Sequence, residues 1–148
     1  MTINVKICGV ERTESVDAAV KHGAAYIGFV FYQPSPRNLT PKKAKQLIYR
    51  VPKSITRVGL FVDPTNSEIE NVLTATDLDM VQLHGQENPS RVLEIKKLSQ
   101  LPILKAIKIA KREDLNFAAD FYDVADHLLF DTKAPENKKN ALPGGNAI

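Results

Sequence analysis

Four side chains in this sequence have types and positions suited to proton-transfer or anion chemistry. Cys8 closes the run Lys6-Ile7-Cys8 and is followed by Gly9. A thiolate there would serve as a base or nucleophile, provided that a cation or backbone N–H groups favour ionisation, because an ordinary thiol titrates at about 8.5. Lys6 shares strand parity with Cys8 and so points to the same face. His84 ends the run Val81-Gln82-Leu83-His84, and Asp131 ends Leu128-Leu129-Phe130-Asp131. As a general acid, Asp131 would need burial or like charges to lift it from about 3.9. Arg37 stands in a loop stiffened by Pro34 and Pro36, which suits an anion clamp.

Each of these has a plainer reading. A lone cysteine is commonly a small buried hydrophobe. His84 can be a hydrogen-bonded structural histidine. With no Cys or His nearby it is a poor metal candidate, so no metal site is expected. Asp131 can be a turn or cap residue, and Arg37 a solvated loop charge. Lys42, Lys43 and Lys45 read most simply as a solvated helix face rather than a nucleic-acid contact.

The elements that would hold these residues alternate regularly. Short β-branched or aromatic runs cover residues 3–8, 26–31, 57–62, 80–84, 103–109 and 127–131, and helical patterns separate them. The spacing is about 20 to 30 residues, one strand plus one helix of a parallel sheet. Thr40-Pro41 and Asn88-Pro89 each offer an N-cap followed by an N1 proline. Thr65 and Glu68 form a possible capping box. Ala44, Leu47, Ile48 and Val51 make one apolar face, and Pro52 stops it. Gly23 is a plausible C′ glycine after Val16, Ala19 and Val20. A weaker helix is expected after Lys111-Arg112-Glu113-Asp114, with Leu115, Ala118 and Phe121 or Tyr122 inward. The residues from Lys133 onward, rich in Pro, Gly and Lys, read as loop.

Six such units fit two architectures. Length alone favours an open doubly wound sheet, because a (β/α)8 barrel usually takes about 200 residues or more. Parity argues for the barrel. Lys6 with Cys8, Gln82 with His84, and Leu129 with Asp131 each share a face, whereas Val5 with Ile7, and Val81 with Leu83, would face helices. Polar residues on one face suit a barrel interior better than a helix-covered sheet. Both architectures place ligands at the C-terminal ends of the strands, where Cys8, His84 and Asp131 fall.

Composition narrows the partners. The chain has 148 residues, of which 43% are apolar, enough to bury one core. One cysteine forbids an internal disulfide. Trp is absent and 7% of residues are aromatic, a poor supply for stacking on bases. The net charge of +3 is mild. No apolar run reaches the roughly 20 residues of a membrane helix, and no signal peptide opens the chain. A soluble cytoplasmic protein without nucleic-acid or membrane partners is expected.

Lys6-Ile7-Cys8-Gly9-Val10, Gly28-Phe29-Val30-Phe31-Tyr32 with Ser35-Pro36-Arg37, Val58-Gly59-Leu60-Phe61-Val62-Asp63, Val81-Gln82-Leu83-His84-Gly85-Gln86-Glu87, Leu128-Leu129-Phe130-Asp131 and Gly144-Gly145-Asn146 resemble, in order and spacing, the successive motifs of the phosphoribosylanthranilate isomerases of tryptophan biosynthesis. The resemblance implies a TIM-type (β/α)8 barrel, here a single incomplete domain over 1–148 with about six βα units. It implies an Amadori rearrangement of N-(5-phosphoribosyl)anthranilate without cofactor or metal, and a monomer or homodimer. It makes Cys8 the general base and Asp131 the general acid, and gives Arg37 the anthranilate carboxylate. It also places His84, Gly144 and Gly145 at the substrate. The family's usual chain is longer. The seventh and eighth strands, whose loops usually bind phosphate in such barrels, are expected to be missing, and the 148-residue chain alone is expected to be weak or inactive. Two other readings stay open at this stage. One is another sugar-phosphate barrel enzyme. The other is a non-catalytic fragment that associates through its open sheet edges.

Overall fold

The computed structural model describes residues 3–132. Its strands are β1 (Lys6–Cys8), β2 (Tyr26–Phe31), β3 (Thr56–Phe61), β4 (Met80–Leu83), β5 (Ile103–Ile109) and β6 (His127–Thr132). They form one six-stranded parallel sheet in the order β1-β2-β3-β4-β5-β6. Every strand therefore lies beside its sequence neighbour. A doubly wound sheet must reverse its strand order at a switch point; this one never does, which is the winding of a barrel. The length-based preference for an open doubly wound sheet is thereby corrected, and the parity argument stands.

The helices α1 (Thr13–Lys21), α2 (Pro41–Ile48), α3 (Asn66–Ala75) and α4 (Pro89–Ser99) begin where local chemistry places them. Thr40 Oγ1 accepts from Lys43 N–H at 3.3 Å, and Asn88 Oδ1 from Arg91 N–H at 2.9 Å. Thr65 and Glu68 close the reciprocal box: Glu68 N–H donates to Thr65 Oγ1 at 3.3 Å, and Thr65 N–H to Glu68 Oε2 at 2.7 Å. Gly23 follows α1 with φ +73°, a left-handed conformation that glycine adopts without steric cost.

The fifth connection differs from expectation. Arg112–Phe121 winds as a 3₁₀ helix rather than an α-helix. Asp114 accepts from the N–H groups of Ala110 and Lys111 at 2.8 and 3.1 Å, which tightens the first turn. The two buried residues, Ala118 and Phe121, are three apart, matching three residues per turn. Leu115, three earlier, stays half-exposed. The first strand is also shorter than its apolar run: only Lys6–Cys8 pair with β2, while Ile3 and Val5 lie exposed at the sheet edge.

Two apolar layers result. The outer one packs Ile27, Phe29, Phe61, Val81, Leu83 and Ile103 of the sheet against Val16, Ala44, Leu47, Ile69, Val92 and Ile95 of the helices. The inner face carries a smaller cluster of Val58, Met80 and Leu104, with Tyr26 and Leu129 against it. Truncating a fully buried member of the outer layer such as Ile69 or Ile95 to Ala would cost about 2–5 kcal/mol. Above the inner apolar cluster, the same face turns polar at the C-terminal ends of the strands. No helix among the described residues is long and apolar enough to cross a membrane.

Candidate active site

One cavity opens at that end of the sheet. Cys8, Arg37, His84 and Asp131 all line it, with Lys6, Gln82, Tyr32 and Ser35 among its other polar groups and Val30, Leu60, Val62 and Leu129 supplying apolar wall. All four residues singled out from the sequence and lying within the described region are thus brought together. Gly144 and Gly145 lie outside the described residues.

Cys8 is a free, exposed thiol, not the buried hydrophobe of the plainer reading. It pairs in register with Gly28 on β2. A Cβ on Gly28 would lie 2.8 Å from Cys8 Sγ and 2.8 Å from Lys6 Nζ. The sulfur and the ammonium therefore share the space that a side chain at position 28 would fill, and no larger residue fits there without moving them. That Lys6 and Cys8 face the same side follows from parity. The need for Gly28 beneath them depends on the strand register.

Arg37 is set by a tight loop. Ser35 N–H donates to Tyr32 O at 2.9 Å and Asn38 N–H to Ser35 O at 3.0 Å, while Leu39 N–H returns to Val30 O at 2.9 Å. The Arg37 side chain crosses Gly9, where an added Cβ would meet its Cδ and Nη1 at 2.8 Å. Gly9 has φ +77°, so the turn after β1 and the close approach of the arginine both call for glycine.

His84 is buried, and its two ring nitrogens are engaged. Nδ1 lies 2.9 Å from Gln82 Nε2, and Nε2 lies 2.9 Å from Asp131 Oδ2. Burial is the largest influence on this imidazole and pushes it below its ordinary value. Hydrogen bonding to Asp131 and its charge pull the other way, and Lys108 and Lys105 add to the downward push. The ring is therefore held neutral around pH 7. Asp131 Oδ1 accepts from Thr132 N–H at 2.9 Å.

A second polar cluster, not anticipated from the sequence, supports the loops. Lys105 and Glu87 form a buried ion pair at 2.7 Å. Glu87 also accepts from Asp63 N–H at 2.9 Å and from Gly85 N–H at 3.1 Å. Lys105 donates to Gly85 O at 2.9 Å and stands over the Phe121 ring. The pair joins the ends of β3, β4 and β5 to the 3₁₀ segment. Lys105 sits inside an apolar run, and the only signal it gave was a charge on the helix-facing parity of β5. Asp63, at φ +46°, ties its loop to the next one: its Oδ1 accepts from Gln86 N–H at 2.6 Å.

A family model described as N-(5'phosphoribosyl)anthranilate (PRA) isomerase matches residues 5–142. The chain belongs to the phosphoribosylanthranilate isomerase family. Within that family, the N-(5'-phosphoribosyl)anthranilate isomerase of Paramagnetospirillum magneticum is 46% identical over the whole chain, which covers 68% of that relative. A crystal structure of a phosphoribosyl anthranilate isomerase in complex with reduced 1-(o-carboxyphenylamino)-1-deoxyribulose 5-phosphate superposes with a TM-score of 0.81. It is 31% identical to the chain, and the match covers 89% of this chain and 66% of that one. A structure of monomers generated from the dimeric Thermotoga maritima isomerase matches with a TM-score of 0.78 at 32% identity, over 89% of this chain and 66% of that one. The chain thus spans about two thirds of the length of the family members it matches. Its six βα units are barrel units of the phosphoribosylanthranilate isomerase type.

Proposed function

We propose that this chain supplies the acid–base machinery of an isomerase that converts N-(5-phosphoribosyl)anthranilate to 1-(o-carboxyphenylamino)-1-deoxyribulose 5-phosphate. The observation that carries the reading is that Cys8, Arg37 and Asp131 line one cavity at the C-terminal strand ends, in a chain whose family bears that name.

The chemistry needs an acid on one side of a sugar and a base on the other. Asp131 gives its proton to the furanose ring oxygen. The C1′–O bond breaks, and the anilino nitrogen's lone pair becomes a C=N bond, leaving a Schiff base. The Cys8 thiolate then takes the C2′ proton, and those electrons pass through C1′ to nitrogen, leaving the enol, which tautomerises to the ketone. Each positioned proton transfer contributes typically 10²–10⁴-fold. Lys6 lines the same cavity as the sulfur. Arg37 takes the anthranilate carboxylate as a planar, charge-assisted partner. His84 lines the cavity but has both ring nitrogens engaged by Asp131 and Gln82, so its part is to orient the acid.

On this reading the chain forms one incomplete barrel domain, acts in the cytoplasm on a small phosphosugar, and works as a monomer or homodimer. Gly144 and Gly145, outside the described residues, are further candidate substrate contacts.

Turnover of N-(5-phosphoribosyl)anthranilate tests the proposal. The assay uses the 148-residue chain alone and with the last two βα units of the Paramagnetospirillum magneticum relative supplied in trans. Cys8→Ala and Asp131→Asn are each expected to lower kcat by about 10²–10⁴-fold in whichever form is active. Near wild-type rates in both variants would overturn the role assignments.

A further inference from the structure

We infer that Gln82 is a positioning residue: its side-chain amide fixes His84 as the Nε2–H tautomer and so keeps a donor on Oδ2 of Asp131. The inference deepens the proposed function, because it rests on Asp131 being the acid of this site.

The argument runs along one chain of contacts. Gln82 and His84 are 1% and 4% exposed, so water does not compete for their polar atoms. A neutral imidazole has a single N–H and one acceptor nitrogen. With its transferable proton on Oδ1, Asp131 presents Oδ2 as an acceptor, which calls for the ring proton on Nε2, 2.9 Å away. Nδ1 is then an acceptor and needs a donor, and Gln82 presents its NH₂ there at 2.9 Å. The arrangement has a cost: Gln82 Oε1 is buried with no hydrogen-bond partner among the described residues.

Turning the amide over would give Oε1 a partner in an Nδ1–H group. It would also strip the proton from Nε2 and leave it facing a carboxylate oxygen, acceptor against acceptor. The contact could then survive only if Asp131 spent its own proton on the histidine instead of on the substrate. With the amide as it stands, Oδ2 is occupied by a donor. The transferable proton is confined to Oδ1, which among the described residues receives the Thr132 N–H. Once that proton is delivered, His84 already stabilises the carboxylate left behind.

The test is ¹⁵N NMR of the histidine ring nitrogens in the 148-residue chain at neutral pH, with His84 identified by its loss in His84→Gln. An unprotonated Nδ1 with a protonated Nε2 is expected. Gln82→Met, which removes the donor at similar volume, is expected to give a mixed tautomer population. Gln82→Glu, which can only accept, is expected to reverse it. In the form of the protein that turns over substrate, Gln82→Met should lower kcat tenfold or more with KM little changed. A protonated Nδ1 or a doubly protonated ring in the wild type would overturn the inference. So would a tautomer indifferent to Gln82→Met, or a shifted tautomer with unchanged kcat. Absence of turnover in every form would count against the proposed function and leave the tautomer result to decide the role of Gln82.

Discussion

Cys8 and Asp131 stand on the two edge strands of a six-stranded sheet, β1 and β6, yet line the same cavity. In a flat sheet, strands lie about 4.7–4.9 Å apart, and edge residues five intervals distant could not share a small site. The sheet must curl until its edges face one another. The twist of parallel strands, with helices packed on one face only, produces that curl. The proposed base and acid, at opposite edges, can thereby address one ligand from two sides.

Gly28 is the floor beneath the Cys8 sulfur. Gly28→Ala would press a methyl against Cys8 Sγ and Lys6 Nζ, each 2.8 Å from the added carbon. Displacement of a reacting group by about 1 Å can cost 10²-fold in rate. A loss of that order in kcat is expected, together with a changed rate of Cys8 alkylation by iodoacetamide. Unchanged alkylation would show that the sulfur has not moved.

The Lys105–Glu87 pair holds the rim together. Lys105→Met leaves Glu87 buried without its cation, which should cost about 3–5 kcal/mol in urea unfolding. Removing both charges, as Lys105→Met with Glu87→Gln, should cost less than Lys105→Met alone. A double variant that loses as much stability as the two single losses together would mean that the two side chains are not coupled.

The neutral state of His84 makes stability depend on pH in a stated direction. Its folded value lies below the ordinary 6.5, mainly through burial. The unfolded chain therefore takes up the proton first as pH falls, and this draws the equilibrium toward unfolding. The His84 contribution is complete above about 6.5 and is lost below it. Asp79 behaves differently: hydrogen bonds and charge from Arg57 outweigh burial and hold it below 3.8, so its contribution is lost only under more acidic conditions. Urea midpoints compared at about pH 8 and about pH 5.5 should fall at the lower pH, and His84→Gln should reduce that drop.

Thr65→Ala provides a control remote from the chemistry. It removes the hydroxyl that accepts from Glu68 N–H in the capping box. A loss of about 0.5–2 kcal/mol in stability is expected, with turnover of folded protein unchanged. A large fall in kcat would mean that α3 communicates with the cavity.

Much of the machinery was legible in the sequence because it is local. The caps at Thr40, Thr65 and Asn88 reach N–H groups only three residues ahead, so spacing alone reveals them. Strand parity put Lys6, Cys8, Gln82, His84, Leu129 and Asp131 on one face, because alternation is a property of each strand by itself. What sequence could not decide was the order of the strands. Six βα units can be wound consecutively or around a switch point, and the choice depends on how neighbouring strands pair. The contact between His84 and Asp131, 47 residues apart, exists only once that choice is made. The same holds for Gly28 under Cys8 and for Lys105 against Glu87, each a matter of register between strands or loops. Residue types and their alternation determined which groups face the cavity, whereas the curl of the sheet decided which of them meet, because distance across a barrel is set by closure and not by position along the chain.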